Sequence, residues 1–283
     1  MRREEDDVNP KLLAYIEKDS WIHRLTGSTK LLCFLMWSMT AMLSYDTRVL
    51  FMMLGLSFIL FKLSKIEFKE IAFVFYFILV FLVINNVAVF LFSPYEGAAI
   101  YHTRHDIVKI VGPYMLTQEQ LFYQLNMTIK YLTIIPMGLI FLATTHPSEF
   151  AASLNKLGVS YKLAYSVAIA MRYIPDIQRD FIEISQAQQA RGIDLSRNEK
   201  LLKRLKNMGS ILMPLVLTSL DRIETISYAM ELRSFGKYKK RTFYSERPFQ
   251  KQDGWALFGM GGLMITFLWI TFHNGSRFYN PFL

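Results

Sequence analysis

A single cysteine in 283 residues, Cys33, leaves nothing for an intrachain disulfide or a cysteine metal cluster. It lies in an apolar run and reads as a small core residue. No G-x-x-x-x-G-K-[ST] loop is present, so ATP is not expected to bind this chain by that route. The H-E-x-x-H zinc motif and the G-x-S-x-G nucleophile elbow are missing as well, and no carboxylate pair sits inside an apolar segment as a proton relay requires. The expectation is a non-catalytic chain with no cofactor-binding residue and no metal ligand. Arg2-Arg3 is followed by Glu4-Glu5-Asp6-Asp7 rather than an apolar core, so no cleavable signal peptide is expected and insertion should rely on internal helices.

What is abundant is apolar surface. With 52% hydrophobic and 15% aromatic residues the chain is too apolar for a soluble domain, and with 19% charged residues it is too charged for a bundle lying wholly in lipid. Both kinds of region are expected in one chain. The net charge of +9 could serve nucleic acid, anionic lipid or membrane topology, and the distribution of Lys and Arg decides. They fall between the apolar segments, as topology requires, so the bilayer is the expected partner and nucleic acid is not.

Residues 1 to 30 are polar and mixed in charge. Two short apolar runs follow, Leu31 to Leu43 and Val49 to Leu63, separated by Ser44-Tyr45-Asp46-Thr47-Arg48. Each is shorter than the roughly 20 residues of a perpendicular span, which leaves a tight transmembrane hairpin or a re-entrant pair. Lys30 on one side and Lys62, Lys65 and Lys69 on the other favour the hairpin, with both outer ends on one basic face. Ile71 to Phe92 is the clearest span, interrupted only by Asn85-Asn86, which read as a helix-bridging contact. Ser93 to Gln120, with Pro94, Gly97, Gly112 and Pro113, reads as an external loop; His102 and His105 in it lack the neighbours a metal site needs. Leu121 to Ala143 is the next span, and its Lys130 is expected to snorkel to an interface. A last span, Trp255 to Phe272, carries Gly259, Gly261 and Gly262 for close helix approach.

The composition changes between these last two spans. Residues 144 to 251 hold more than half of the Lys and Arg and form a platform expected on the cytoplasmic side. The domain reading is therefore 1–143, N-terminal lead-in and membrane helices; 144–251, platform; 252–283, last span and tail. About five crossings result, with the N-terminus inside.

Within the platform, Pro147 and Glu149 begin a short helix that ends at Gly158. A long helix is expected over Tyr161 to Ala190, apolar nearly all round to Ile174 and then striped through Ile177, Phe181 and Ile184. A second runs from about Glu199, capped by Ser196 or Asn198, to Leu232. Each contains a proline, Pro175 or Pro214, that removes a helix hydrogen bond and can bend the helix out of the bilayer onto its surface. Their ends resemble each other: Ile184-Ser185-Gln186-Ala187-Gln188-Gln189-Ala190-Arg191-Gly192 and Ile226-Ser227-Tyr228-Ala229-Met230-Glu231-Leu232-Arg233-Ser234 repeat Ile, Ser, Ala and Arg in register. One helix-terminal arginine complements the carbonyl end of its helix and needs no further role. A basic, headgroup-touching surface accounts for Lys200 to Lys206 and Lys237 to Arg241. Two matched arginines with small or flexible residues beside them instead fit a groove on a partner, where a guanidinium can bind a carboxylate.

Thr144-Thr145-His146-Pro147-Ser148-Glu149, Arg172-Tyr173-Ile174-Pro175, Ala190-Arg191-Gly192, Pro214 and the Ala229 to Gly236 stretch together resemble the transmembrane T component of energy-coupling factor transporters, the ABC-type vitamin and metal-ion importers of prokaryotes. The resemblance covers essentially the whole chain. It implies an all-α membrane protein of the plasma membrane with about five transmembrane helices and a platform of long amphipathic coupling helices. It also implies partners: two cytoplasmic ATP-binding subunits and a membrane substrate-binding S component, joined by a scaffold that is not itself an enzyme. Carried over by position, Ala190, Arg191 and Gly192 would dock into one ATPase, and Leu232, Arg233 and Ser234 into the other, with both small flanks of the second motif changed. Two rivals remain. In one, Asn85, Asn86 and Lys130 line the path of a self-sufficient secondary transporter or channel; in the other, the chain is a conventional ABC permease half.

Overall fold

The computed structural model describes residues 20–111, 114–193, 201–238, 243, 247–273 and 276–281. The lead-in over 1–19, the turn residues Gly112 and Pro113, the expected cap at Ser196 or Asn198 with Lys200, and Lys239 to Arg241 lie outside the described residues, as do the side chains of Lys203, Arg204 and Lys206. In chain order the elements are α1 (Trp21–Arg24), α2 (Gly27–Leu43), α3 (Thr47–Leu63), α4 (Phe68–Phe92), α5 (Glu96–Tyr101), β1 (Asp106–Val111), β2 (Tyr114–Thr117), α6 (Gln118–Thr144), α7 (Pro147–Lys156), α8 (Tyr161–Ala190), α9 (Leu201–Leu232) and α10 (Lys251–Phe272). They fall into two compact units, Met1–His146 with Arg247–Leu283, and Pro147–Glu246.

The first unit is a membrane bundle. Ala72–Phe92 of α4, α6 and α10 are long and apolar enough to cross a bilayer. At 17 residues each, α2 and α3 rise only about 25 Å, short of the roughly 30 Å hydrocarbon core. Their depth is nevertheless fixed by α10. The Asp253 carboxylate accepts from the Thr26 backbone N–H at 2.8 Å and from its hydroxyl at 3.1 Å, while the Ser44 and Thr271 hydroxyls pair at 2.8 Å. Both pairs are separated by the same 227 residues, so α2 and α10 run parallel and are matched end to end. Between those ends α2 reaches as deep as a helix that qualifies as a span.

Helix α6 is the centre of this unit and packs against α2, α3, α4 and α5. Its buried residues Asn126, Ile129, Lys130, Thr133, Pro136, Met137, Ile140 and Ala143 recur every three or four positions, the spacing of a helical face. Met137 and Ile140 join Trp37, Ala41, Val49, Met53 and Phe267 in one apolar core, and the Trp37 indole donates to the Thr133 carbonyl at 3.2 Å.

Two lysines contradict the sequence reading. Lys130 is only 2% exposed, and its ammonium donates to the Met42 carbonyl at 3.0 Å while lying 3.2 Å from the centre of the Tyr45 ring. It does not snorkel. Lys30 is not a free charge on a basic face either: it is buried and donates to the Thr144 carbonyl at 2.7 Å and the His23 carbonyl at 3.3 Å. The arrangement is reciprocal. A lysine of α6 satisfies a last-turn carbonyl of α2, and a lysine of α2 satisfies a last-turn carbonyl of the antiparallel α6, where a cation also meets the negative end of the helix dipole.

The stretch read as a loop is largely ordered structure. It contains α5 and an antiparallel hairpin in which Val108 faces Leu116 and Lys109 faces Met115. The β-branched run Ile107-Val108-Lys109-Ile110-Val111 favours a strand, a signal hidden by the flanking Gly and Pro. His105 is engaged with Glu119: its Nδ1 lies 2.7 Å from Oε1, and its backbone N–H reaches both carboxylate oxygens at 3.1 Å. Gly97 lies so close to the chain that an added Cβ would meet the backbone of Glu119 and Gln120, and its N–H donates to the Gln120 side chain at 2.9 Å. Of the two span amides, Asn86 bridges α4 to α6 through Thr128 at 3.0 Å, and its carbonyl receives Gln124 at 3.1 Å.

Candidate docking site: two arginine-capped helix ends

The second unit holds α7, α8 and α9. Helix α7 packs Ala151 and Ala152, both buried, beside α8, whose Ala164 is also buried. Ser160 caps α8 by accepting from the Leu163 N–H at 3.4 Å, a residue type suited to that place. Both long helices run on through their prolines, α8 for 30 residues and α9 for 32. They cross as an antiparallel pair. Phe235, just past the end of α9, packs its ring 5.6 Å from Tyr161 and 4.9 Å from Tyr165 at the start of α8. Further along, Arg222 of α9 donates to Asp180 of α8 at 2.7 Å.

The two ends share one turn. At the end of α8, the Gly192 N–H donates to the Gln189 carbonyl at 2.9 Å and the Ile193 N–H to the Gln188 carbonyl at 3.1 Å. At the end of α9, the Ser234 N–H donates to the Glu231 carbonyl at 2.9 Å and the Phe235 N–H to the Met230 carbonyl at 2.9 Å. Both are Schellman turns, with the arginine at the C-cap and the next residue left-handed. Gly192 has φ +84° and Ser234 has φ 55°. Glycine adopts this conformation without strain, whereas a residue with a Cβ gives up about 1 kcal/mol or more. The third motif position is therefore a backbone requirement, and serine meets it at some cost. The change from Ala190-Arg191-Gly192 to Leu232-Arg233-Ser234 alters the flanks but keeps the turn and the place of the arginine within it.

Ala190, Arg191, Gly192, Leu232, Arg233 and Ser234 are all exposed, Leu232 to 88%. Arg191 forms no ion pair with any described residue. Because Phe235 sits against the first turns of α8, the second tip lies beside the start of the helix that carries the first. The two arginines are thus separated by most of the length of α8, roughly 33 Å at 1.5 Å per residue. Between them the helices expose Leu163, Ile174, Leu212, Met213, Val216, Leu220 and Ile223. Exposed large apolar residues recurring along both helices mark a site covered by lipid or protein. The sequence reading found both arginines and both prolines but missed the Phe235 clasp and the Asp180–Arg222 contact.

These features define a class, a multi-pass α-helical membrane protein carrying a pair of long helices with matched, exposed, arginine-capped ends. Residues 18–244 match the CbiQ family, described as cobalt transport protein, and the chain belongs to that family. Curated relatives agree in kind. The energy-coupling factor transporter transmembrane protein EcfT of Leuconostoc gelidum is 27% identical over 265 residues, covering 89% of this chain and 94% of the relative. EcfT of Acidaminococcus fermentans is 29% identical over 260 residues, 87% and 90% of the two chains, and EcfT of Lactococcus lactis 28% over 281 residues, 93% and 97%. The protein is a transmembrane transporter component.

Proposed function

We propose that this chain is the scaffold of an ATP-driven micronutrient importer, docking Arg191 and Arg233 into two cytoplasmic ATP-binding subunits and passing their motion to a membrane substrate-binding subunit. The observation that carries this reading is the pair of matched, exposed Schellman-capped arginines at opposite ends of one antiparallel helix pair. Two separate partners can each take one tip, with the flanking small or apolar residues entering a groove and the guanidinium meeting a carboxylate. The apolar surface between the tips is available to a lipid-embedded subunit, and Pro175 and Pro214 lie in the helices that carry the motion. The positive-inside bias sets the platform in the cytoplasm. The end-to-end match of α2 with α10, the opposite direction of α6 and the further helices α3 and α4 support about five crossings. A vitamin or a metal ion is the cargo, chosen by the separate substrate-binding subunit.

Replacing both arginines with glutamate should abolish copurification of the ATP-binding subunits while the chain still inserts and extracts as a folded protein. Undiminished copurification would overturn the docking reading. The rival path through Asn85, Asn86 and Lys130 draws no support, since Asn86 and Lys130 are bonded to neighbouring helices.

A further inference from the structure

We infer that Asp180 and Arg222 form the pivot of the two long helices, positioning residues at a local two-fold axis about which the arginine-tipped arms turn. The inference rests on the docking reading for its purpose and on the repeat for its geometry. Arg191 and Arg233 are equivalent positions of the two similar helix ends, 42 residues apart, as are Ile184 and Ile226, Ser185 and Ser227, and Ala187 and Ala229. Asp180 and Arg222 are separated by the same 42 residues. They are therefore the same position of the repeat, and they touch each other. When two equivalent rods cross in antiparallel sense, an equivalent position meets its counterpart only on the axis relating the rods. A symmetric contact there would pair two like side chains; here one acid and one base replace them, so the pair attracts.

Two consequences follow from the position. Each member lies eleven residues before its arginine, close to three helical turns, so the arms are of equal length, about 16 Å each. The pair also sits on the same side of each helix as the arginine it serves, because eleven residues bring the helix back to nearly the same angle. The contact is built to turn. A single bond at 2.7 Å joins Arg222 Nη2 to Asp180 Oδ2, while Arg222 Nη1 is buried without an acceptor among the described residues. A two-bond fork would hold the crossing angle rigid; one bond leaves rotation about it open. The pair is only part-exposed, with side-chain exposures of 30% and 22%, and the Tyr173 ring lies 5.8 Å from the guanidinium carbon. Water therefore weakens it less than an open surface pair. The prolines do not share the symmetry, since Pro175 and Pro214 are 39 residues apart. The prolines belong to each arm separately, and the axis belongs to the ion pair.

The test places spin labels at the equivalent exposed positions Gln189→Cys and Glu231→Cys, with Cys33→Ala, and measures the distance between tips in nanodiscs. The chain is measured alone and then with its ATP-binding subunits, before and after ATP with vanadate. Expected for the otherwise native chain is one narrow distribution that shifts with nucleotide in the complex. Asp180→Ala and Arg222→Ala should broaden it in the chain alone and lose the nucleotide-dependent shift, yet retain the ATP-binding subunits. Asp180→Arg combined with Arg222→Asp should restore both width and shift. An unchanged distribution in the alanine variants, or failure of the exchanged pair to restore it, would overturn the pivot. Loss of the ATP-binding subunits from the alanine variants would overturn it too, by making the pair part of docking. The measurement on the chain alone is independent of docking, so retained subunits after Arg191→Glu with Arg233→Glu would sink only the docking reading.

Discussion

The membrane unit buries charge and the platform exposes grease. In the first, Lys30, Lys130, Glu119 and Asp253 are all inside, each with hydrogen-bond partners in the same unit. In the second, Leu163, Leu212, Met213, Leu217 and Leu232 are all outside. The inversion separates two kinds of construction. Where the buried charges of a helix bundle are matched internally, the bundle holds them at little cost, whereas an unmatched group in lipid costs several kcal/mol. Apolar residues left uncovered are finished by something else: lipid around Phe73, Phe92 and Phe258 of the membrane spans, lipid or a partner over the platform.

Substitutions can break this contrast. The largest loss is expected for Lys130→Ala, which leaves the Met42 carbonyl of α2 unmatched and a hole beside Tyr45; about 3 kcal/mol should disappear from the stability of the membrane unit. Thermal unfolding of the protein in nanodiscs measures it. Lys30→Ala should behave alike at the other end of the same helix pair. Gly97→Ala comes next, at about 2 kcal/mol, because the added methyl meets backbone rather than a movable side chain; limited proteolysis within residues 93–117 would report the opening.

Smaller effects sharpen the platform side. Gly192→Ala should weaken the end of α8 by about 1 kcal/mol, and Ser234→Gly should strengthen the end of α9 by a similar amount, since only one of the two left-handed positions already carries glycine. Hydrogen exchange at the Ile193 and Phe235 amides, which close the two turns, would resolve the opposite signs. The smallest stability change belongs to Leu220→Ser, under about 0.5 kcal/mol for the isolated chain. In the assembled transporter the same change should lower the yield of complex, and equal yields with and without it would remove this surface from the contact area.

Much of this was legible in the chain. The period of three to four places α8 over Tyr161 to Ala190, where it lies, and Ile71 to Phe92 falls within α4. The repeat with its two arginines is visible as text, and its 42-residue offset, carried one turn before Ile184, brings Asp180 onto Arg222. The buried lysines were not legible. Their partners are backbone carbonyls that are 88 and 114 residues away, and a carbonyl leaves no mark in a sequence. The hairpin of β1 and β2 was obscured because its strands are short and its punctuation looks like that of a loop. The tip turns were half legible: glycine announces a left-handed residue, serine does not.

The matched seams between α2 and α10 bear on how the molecule is made. Asp253 and Thr271 come from α10, which is made after the platform, yet they close bonds at both ends of α2. Until translation reaches them, Thr26 and Ser44 wait without these partners, while all of α7, α8 and α9 has already been made. Biosynthesis thus delivers the platform before the seam between α2 and α10 can close.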